Sequence, residues 1–315
     1  MSKIAFIYPG QGAQKAGMGA DFYENSEIAR YIFDQAGEEL DLDMKELCFE
    51  ENDRLDLTEY TQAAMVTTCL AMTRVAESKG LKADITAGLS LGEYPAIAAA
   101  GGMNDMDAIR LVRKRGILMQ NTVPAGEGAI CAVISMAAEE IEKVIEPIAD
   151  VSVANYNCPG QIVITGKTDA VEEAAAKLKE AGARRTIMLN VSGPFHSQML
   201  VPAGEKLAEE LEHTRFHELR IPYVTNVTAE KVTDIRETPG LLTTQISSPV
   251  RWMQSMERMI ADGVDTFVEI GPGKTLEGFL RKIDRSVKVF HISQWEDVDK
   301  VCTELADSGK MMEEA

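Results

Sequence analysis

Residues 88–92 carry the strongest chemical pattern in the sequence, Gly-Leu-Ser-Leu-Gly, which matches G-x-S-x-G. The pattern lies between an apolar run that predicts a strand and a stretch that predicts a helix to residue 100. A tight strand-to-helix turn needs small residues on both sides, and it lifts the central serine out of the end of the sheet. The N–H groups of the helix that begins at Leu91 face the same place, which suits a developing oxyanion. We interpret Ser90 as a candidate nucleophile, against the alternative of a glycine-rich turn with an inert serine.

A nucleophilic serine needs a base, and the sequence has four histidines. His196 follows Pro194 in a segment that cannot continue a regular strand, so its side chain can enter a cleft. His291 lies in a late predicted strand, where it is most simply a sheet residue. His291 would nonetheless be the base of an ordinary α/β hydrolase, in which the histidine comes last. No acid between Ser90 and His196 stands out, which counts against the hydrolase interpretation.

Arg115 is the third residue of chemical interest, in a predicted helix over residues 105–121. The helical period places it on the apolar side of that helix, with Leu111, Leu118 and Met119. A buried guanidinium needs a carboxylate partner. That partner is either a structural ion pair or a carboxylate of the substrate, which the planar guanidinium can bind through two parallel hydrogen bonds.

Two further patterns suggest ligand sites that the spacing does not support. Residues 271–275, Gly-Pro-Gly-Lys-Thr, end like a phosphate-binding loop, but the first glycine of that motif would fall at Val268. We therefore exclude nucleotide binding there. His213 and His217 stand four apart on a predicted helix, a spacing that could hold zinc, but no third ligand is near. We expect no metal site.

The elements that must position these residues follow a strand–helix alternation. Strands at 4–8 and 84–89 and helices at 21–37, 60–79 and 105–121 predict a parallel sheet with helices on both faces. From about residue 126 the order becomes β-α-β-β-α-β, with elements at 129–134, 137–148, 151–156, 161–165, 168–181 and 184–191. This is the order of a ferredoxin-like unit. The alternation then resumes with elements at 200–214, 221–227, 250–262, 264–270, 274–283 and 287–292. We expect an α/β domain of residues 1–125 and 194–315 with an inserted subdomain at 126–193.

Composition limits the class of protein. At 315 residues, 45% hydrophobic and 26% charged, the chain is an ordinary globular sequence without an apolar run of membrane-spanning length. Five cysteines without a CxxC pair predict a reduced, cytoplasmic protein rather than a disulfide framework. The net charge of −18 argues against binding to nucleic acid. Most of that charge is in residues 38–59 and 296–315, so the rest of the surface can still present a basic patch.

Taken in order, these residues resemble the malonyl-CoA:acyl carrier protein transacylase family over almost the whole chain. The matching segments are Phe-Ile-Tyr-Pro-Gly-Gln-Gly at 6–12, Tyr-Thr-Gln at 60–62, Gly-Leu-Ser-Leu-Gly-Glu-Tyr at 88–94, Arg-Gly at 115–116 with Met-Gln at 119–120, Asn-Tyr-Asn-Cys-Pro-Gly-Gln at 155–161, Gly-Pro-Phe-His at 193–196, Gln-Ile-Ser-Ser-Pro-Val at 245–250 and Glu-Ile-Gly-Pro-Gly at 269–273. One position departs, since Leu89 stands where the family usually has a histidine before the nucleophile. The resemblance implies an α/β-hydrolase-like domain with a ferredoxin-like insertion.

The resemblance also implies a reaction and a role for each residue. Ser90 would attack the thioester of malonyl-CoA, and His196 would be the base, oriented by the main-chain carbonyl of Gln245. The main-chain N–H groups of Gln11 and Leu91 would form the oxyanion hole. Arg115 would bind the malonyl carboxylate in a pocket lined by Gln62, and Phe195 would limit the size of the acyl group. These roles need no metal and no redox cofactor.

The implied partners are malonyl-CoA and acyl carrier protein, whose phosphopantetheine thiol would collect the malonyl group for fatty acid synthesis. We expect a monomer that binds neither nucleic acid nor membrane, and that docks the acidic carrier protein on a local basic surface. The candidates for this surface are Arg184, Arg185, Arg281 and Lys282. Transfer of a different acyl group and serine hydrolysis remain the alternatives.

Overall fold

The computed structural model describes residues 3–189 and 193–307. The strands are β1 Lys3–Tyr8, β2 Ile85–Gly88, β3 Gly128–Ile134, β4 Val151–Cys158, β5 Gln161–Lys167, β6 Arg185–Met188, β7 Tyr223–Val224, β8 Lys231–Val232, β9 Val264–Ile270 and β10 Lys288–Ile292. The helices are α1 Ala20–Asn25, α2 Glu27–Leu40, α3 Met44–Phe49, α4 Thr58–Ser78, α5 Glu93–Ala99, α6 Asp105–Asn121, α7 Ala138–Ile145, α8 Thr168–Glu180, α9 Val201–Glu212, α10 Thr238–Gln245, α11 Trp252–Ala261, α12 Thr275–Ile283 and α13 Trp295–Asp307. Short 3₁₀ turns cover Ser90–Gly92, Gln198–Leu200 and Ile235–Glu237.

The larger sheet has the strand order β10-β9-β1-β2-β7-β8, and its pairs are parallel except for β7 with β8. The apolar run of β1 explains why helices cover both faces. Ile4, Phe6 and Tyr8 pack into the core on the side of α2, α4 and α6, whereas Ala5 and Ile7 pack into the core on the side of α11 and α12. Side chains of a strand alternate between the two faces, so an unbroken apolar run needs cover on both. The predicted parallel sheet is confirmed.

The smaller sheet has the order β4-β5-β3-β6 with antiparallel pairs throughout. It has its own core, in which Cys131 and Val133 of β3 meet Ile141 of α7 and Leu178 of α8. The β-α-β-β-α-β order and this sheet make the ferredoxin-like arrangement that the sequence predicted. We propose that residues 126–193 form a subdomain inserted between 1–125 and 194–315. The last predicted strand, 184–191, is shorter than expected, and residues 190–192 lie outside the described residues.

Several predicted elements differ from the structure. The helix expected at 21–37 is divided into α1 and α2 by Ser26, whose backbone is extended and whose hydroxyl caps α2. The strand expected at 221–227 is only β7, because the chain then turns back as β8. The prediction that His213 and His217 share one face of a helix is wrong. Helix α9 ends at Glu212, and the His217 N–H instead donates to the Gly102 carbonyl at 2.9 Å.

No helix among residues 3–189 and 193–307 combines the length and the apolar character that crossing a membrane requires.

Two glycines allow the ends of β1 and β2 to meet the turn that follows β2. A Cβ on Gly92 would lie 2.2 Å from the Tyr8 carbonyl oxygen, and a Cβ on Gly88 would lie 1.9 Å from the backbone of Gly92. Backbone atoms cannot move away as the end of a side chain can. The outer glycines of the G-x-S-x-G pattern are therefore required by close backbone packing.

We predict that Gly92→Ala destabilises the fold by at least about 1–3 kcal/mol, the usual cost of forcing extra atoms into a packed site. Gly278→Ala is the matched control, since Gly278 lies in α12 and has no atom within 4 Å of the position that a methyl group would take. Replacing a helical glycine by alanine there should stabilise the protein by roughly 0.5–1 kcal/mol. Urea unfolding of both variants measures the difference. Equal effects of the two substitutions would contradict the packing argument.

Candidate active site

Ser90 occupies the turn that leaves β2, with its backbone at φ 52°, in the left-handed region. This conformation costs free energy for a residue other than glycine and persists only where the surroundings impose it. The helix expected from Leu91 begins instead as the 3₁₀ turn Ser90–Gly92, and α5 starts at Glu93. The strained turn presents the serine hydroxyl at the carboxyl edge of the sheet.

Asn226 holds this turn in place from the segment that follows the neighbouring strand, β7. Its Oδ1 accepts the Ser90 N–H at 2.6 Å, and its Nδ2 donates to the Gly88 carbonyl at 2.7 Å. Asn226 follows β7, which pairs with β2, so the two strands end side by side. Sequence reasoning did not assign this residue to the site. Its only signal was a polar side chain at the end of a predicted strand.

His196 contacts the candidate nucleophile directly. Its Nε2 lies 2.7 Å from the Ser90 Oγ, and its Nδ1 lies 2.9 Å from the main-chain carbonyl oxygen of Gln245. A carbonyl oxygen can only accept a hydrogen bond, so Nδ1 carries the proton and the lone pair of Nε2 faces Ser90. Burial, together with the nearby charge of Arg115, lowers the pKa of His196 to about 4. The imidazole is therefore neutral near pH 7, as a base must be.

His291, the alternative base, is elsewhere. It lies on β10, which β9 and β1 separate from β2, and its Nδ1 is 3.5 Å from the Glu277 carboxylate. The structure brings His196 to Ser90 and does not bring His291 there.

Arg115 is 1% exposed and reaches the same hydroxyl. Its Nη2 donates to the Ser90 Oγ at 3.2 Å and to the Gln245 Oε1 at 3.1 Å, while Nη1 donates to the Gln62 Oε1 at 2.9 Å. The guanidinium also lies 5.3 Å from the centre of the Tyr94 ring. Burial lowers the pKa of Arg115 from its usual value. No ion pair of the described part of the chain involves Arg115, so this buried cation has no direct carboxylate partner.

Glu93 is a fully buried carboxylate beneath the turn. Its Oε2 accepts the Asn226 N–H at 3.0 Å and the Gln245 Nε2 at 2.8 Å. Burial raises the pKa of Glu93 to about 7, against the hydrogen bonds, which lower it. Sequence reasoning included Glu93 only as part of a matching segment and gave it no role.

Gln11 and Leu91 leave the sheet at the same edge. The Leu89 N–H donates to the Tyr8 carbonyl at 3.0 Å, so the loop after β1 and the turn after β2 begin side by side. The side chain of Gln11 is fixed by a 3.0 Å hydrogen bond from its Nε2 to the Thr58 Oγ1. The main-chain positions assigned to the oxyanion hole are thus on adjacent segments.

The remaining predicted residues lie beside the guanidinium and the imidazole. Gln62 is buried and donates from Nε2 to the Met119 sulfur at 3.4 Å, which turns its Oε1 toward Arg115. Phe195 is buried and directly precedes His196. Leu89, in the position of the family histidine, packs its side chain onto the core beside α11 and α12.

A carboxylate of the chain caps the helix that follows the loop at 271–275. The Glu269 carboxylate accepts the N–H groups of Leu276 at 3.1 Å and Glu277 at 2.8 Å, at the first turn of α12. A phosphate would need these same donors. These two donors at the start of α12 are therefore already used by a carboxylate of the chain.

The assembled groups are suited to acyl transfer. A serine hydroxyl contacts a neutral imidazole and a buried, uncompensated guanidinium, so an acyl group with its own carboxylate would complement the site.

Comparison with known proteins identifies relatives of this arrangement. The family model described as acyl transferase domain matches residues 5–298. Malonyl CoA-acyl carrier protein transacylase of Bacillus subtilis (strain 168) is 44% identical over 304 residues, which cover 95% of this chain and 96% of that protein. The crystal structure of malonyl CoA-acyl carrier protein transacylase from Clostridium perfringens superimposes with a TM-score of 0.94 at 42% identity, covering 98% of each chain.

A third relative was solved with its partner. It is a malonyl-transacylase in complex with a type II PKS acyl-carrier protein, with a TM-score of 0.93 and 35% identity over 96% of this chain and 100% of that one. The family model spans nearly the whole chain, and relatives well above 30% identity cover it almost completely. The chain therefore belongs to the acyl transferase family and, within it, to the malonyl CoA-acyl carrier protein transacylases.

Proposed function

We propose that this chain transfers a malonyl group from malonyl-CoA to the phosphopantetheine thiol of acyl carrier protein through a malonyl ester of Ser90. The observation that carries the proposal is the contact of the Ser90 Oγ with both the His196 Nε2 and the Arg115 Nη2. One contact supplies the base for acyl transfer. The other supplies a cation whose missing partner is a carboxylate.

In the first half-reaction, the lone pair of His196 Nε2 takes the Ser90 proton while Oγ attacks the thioester carbonyl. The Gln245 carbonyl accepts the hydrogen bond from Nδ1 and stabilises the imidazolium that forms, in place of the acid of a catalytic triad. The tetrahedral oxyanion accepts hydrogen bonds from the main-chain N–H groups of Gln11 and Leu91. When it collapses, the imidazolium returns the proton to the departing CoA sulfur.

In the second half-reaction, the thiol of the carrier protein attacks the malonyl-Ser90 ester. His196 takes the thiol proton and then gives it to the Ser90 oxygen, so the enzyme returns to its starting state. The two substrates use the same groups in turn, which is ping-pong transfer. The malonyl carbon skeleton is unchanged.

Arg115 sets the choice of acyl group in this proposal. Gln62 and Gln245 hold its two terminal nitrogens, Nε has no partner among the described residues, and the Nη2 N–H that donates to the Ser90 Oγ is the one that an acyl carboxylate would take over. An acetyl group would leave the buried charge unpaired, and a hydrolase would have no use for it. Phe195, beside the base, limits branching of the acyl chain.

The carrier protein docks, in this proposal, on two exposed basic pairs. Arg184 and Arg185 are exposed at the start of β6, upstream of the segment that leads to His196. Arg281 and Lys282 line an open cavity of about 660 Å³ together with Arg285. Basic side chains there would attract an acidic protein despite the overall net charge of −18.

We propose further that the reaction takes place in the cytoplasm. The five cysteines, four of them buried, are free thiols, which supports a reducing compartment such as the cytoplasm. We also propose that the chain acts as a monomer.

We predict that malonyl-CoA adds one malonyl mass to the intact protein, on the peptide that contains Ser90. The reason is that Ser90 combines a position on the strained turn with a contact to a neutral imidazole. Mass spectrometry of the protein before and after digestion measures the adduct. Ser90→Ala should abolish it, and an adduct on a cysteine, or one that persists in the variant, would contradict the assignment.

We predict that reaction of Ser90 with a neutral fluorophosphonate is nearly independent of pH between about 5 and 8. An unperturbed histidine would lose its free lone pair below about pH 6.5, whereas the depressed pKa of His196, about 4, keeps it neutral to lower pH. Arg115→Met removes a charge that lowers the pKa of His196. The pH below which the labelling rate of Ser90 falls should therefore be higher in this variant. Labelling rates against pH in both proteins provide the measurement. A labelling rate of the wild-type protein that falls with a midpoint near pH 6.5 would refute the prediction.

We predict that Arg115→Ala lowers kcat/KM for malonyl-CoA by about tenfold or more and leaves acetyl transfer unchanged or improved, since hydrogen bonds to a charged group contribute roughly 1.5–3 kcal/mol. Arg115→Lys should recover only part of the malonyl activity, because an ammonium cannot form the two parallel bonds. The measurement is kcat/KM for both thioesters at a fixed concentration of carrier protein. A proportional loss of both activities in a folded alanine variant would show that Arg115 does not bind the carboxylate.

A further inference from the structure

The side chain of Gln245 contacts Arg115, Ser90 and Glu93, whereas its main-chain carbonyl contacts His196. Its Oε1 accepts from the Arg115 Nη2 at 3.1 Å. Its Nε2 donates to the Ser90 carbonyl at 3.0 Å and to the Glu93 Oε2 at 2.8 Å. Gln245 is 1% exposed, so these contacts have no competition from solvent.

The two ends of the Gln245 amide are not interchangeable. The Ser90 carbonyl can only accept hydrogen bonds, the Glu93 Oε2 already accepts the Asn226 N–H at 3.0 Å, and the guanidinium of Arg115 can only donate. Turning the amide over would place its oxygen against two acceptors and its NH₂ against a cation. Buried groups left in that arrangement are costly. Glu93 and the Ser90 carbonyl therefore fix the amide with Oε1 toward Arg115.

The fixed amide determines where the guanidinium lies. Gln62 holds Nη1 and Gln245 holds Nη2, so both terminal nitrogens are fixed by amide oxygens, while Nε has no partner among the described residues. A carboxylate binds two N–H groups only when the plane and direction of the fork match it. If Nη2 loses the Gln245 oxygen, it keeps only the contact with the Ser90 Oγ at 3.2 Å, and the guanidinium can rotate away from the position in which it meets the acyl carboxylate.

We propose that the side-chain amide of Gln245 is a positioning residue for acyl-group selectivity, which aims Arg115 at the malonyl carboxylate while Glu93 fixes its orientation. This inference rests on the proposed function. It assigns to the side chain a task that differs from that of the main-chain carbonyl, which supports His196. A substitution at residue 245 keeps the carbonyl and removes only the amide.

The test compares Gln245→Met, which keeps the length of the side chain without its polar atoms, with Gln245→Ala. Both variants should lower the ratio of kcat/KM for malonyl-CoA to kcat/KM for acetyl-CoA by about tenfold, the effect expected from losing a hydrogen bond to a charged group. The loss should appear mainly as a higher KM for malonyl-CoA. Labelling of Ser90 by a neutral fluorophosphonate should fall much less than malonyl transfer, because the pair of Ser90 and His196 remains.

Thr73→Val is the matched control for loss of a buried polar group. Thr73 is fully buried in α4, where its hydroxyl contacts the Tyr8 hydroxyl at 3.1 Å and the Cys69 carbonyl at 2.7 Å. This variant should lower the thermal midpoint and leave the malonyl to acetyl ratio at its wild-type value. The proposal is supported if a residue-245 variant has a thermal midpoint similar to that of Thr73→Val but a lower ratio of malonyl to acetyl kcat/KM.

Two results would overturn it. If the substitutions at residue 245 leave the ratio of malonyl to acetyl kcat/KM unchanged, so that both activities fall in proportion or not at all, the amide is only structural. Wild-type protein that fails to acquire fluorophosphonate at Ser90 would overturn the proposed function, and this inference with it. The labelling experiment therefore separates the two failures.

Discussion

The backbone of Ser90 is the constraint on which the rest of the site depends. A non-glycine residue at φ 52° is held there only because the surrounding chain leaves it no alternative. Gly88 and Gly92 allow the strand ends to approach, and Asn226 binds both sides of the turn. The hydroxyl of Ser90 is consequently presented in a fixed direction, and every other group of the site is positioned relative to it.

The second organising feature is a buried positive charge without a direct partner. Arg115 is desolvated, contacts neutral oxygens, and is linked to the Glu93 carboxylate only through the Gln245 amide. This charge helps to keep His196 neutral, and an anionic acyl group would neutralise it. In the proposed mechanism the same residue therefore affects both the protonation of His196 and the choice of acyl group. Keeping the cation buried without a carboxylate costs stability.

Distant segments supply the groups that complete the site. His196 follows the inserted subdomain, Gln245 is the last residue of α10, and Asn226 follows β7. All three reach Ser90 because the strand order β1-β2-β7 brings these segments to one edge of the sheet. His196 itself has φ 61°, so both residues of the Ser90–His196 contact have left-handed backbones that the neighbouring structure imposes.

The sequence by itself indicated Ser90 as the candidate nucleophile, the strand–helix order and the ferredoxin-like insertion, because each is a local pattern of glycine spacing or hydrophobic period. It also placed Arg115 on the buried face of α6 by helical period alone. Residue patterns left the choice between His196 and His291 open, and only the resemblance favoured His196. The tertiary structure places His196, and not His291, against Ser90, and it revealed the contacts of Asn226, Glu93 and the side chain of Gln245. These contacts join residues far apart in the chain, so they depend on strand order and on the direction of buried side chains, which no local pattern records.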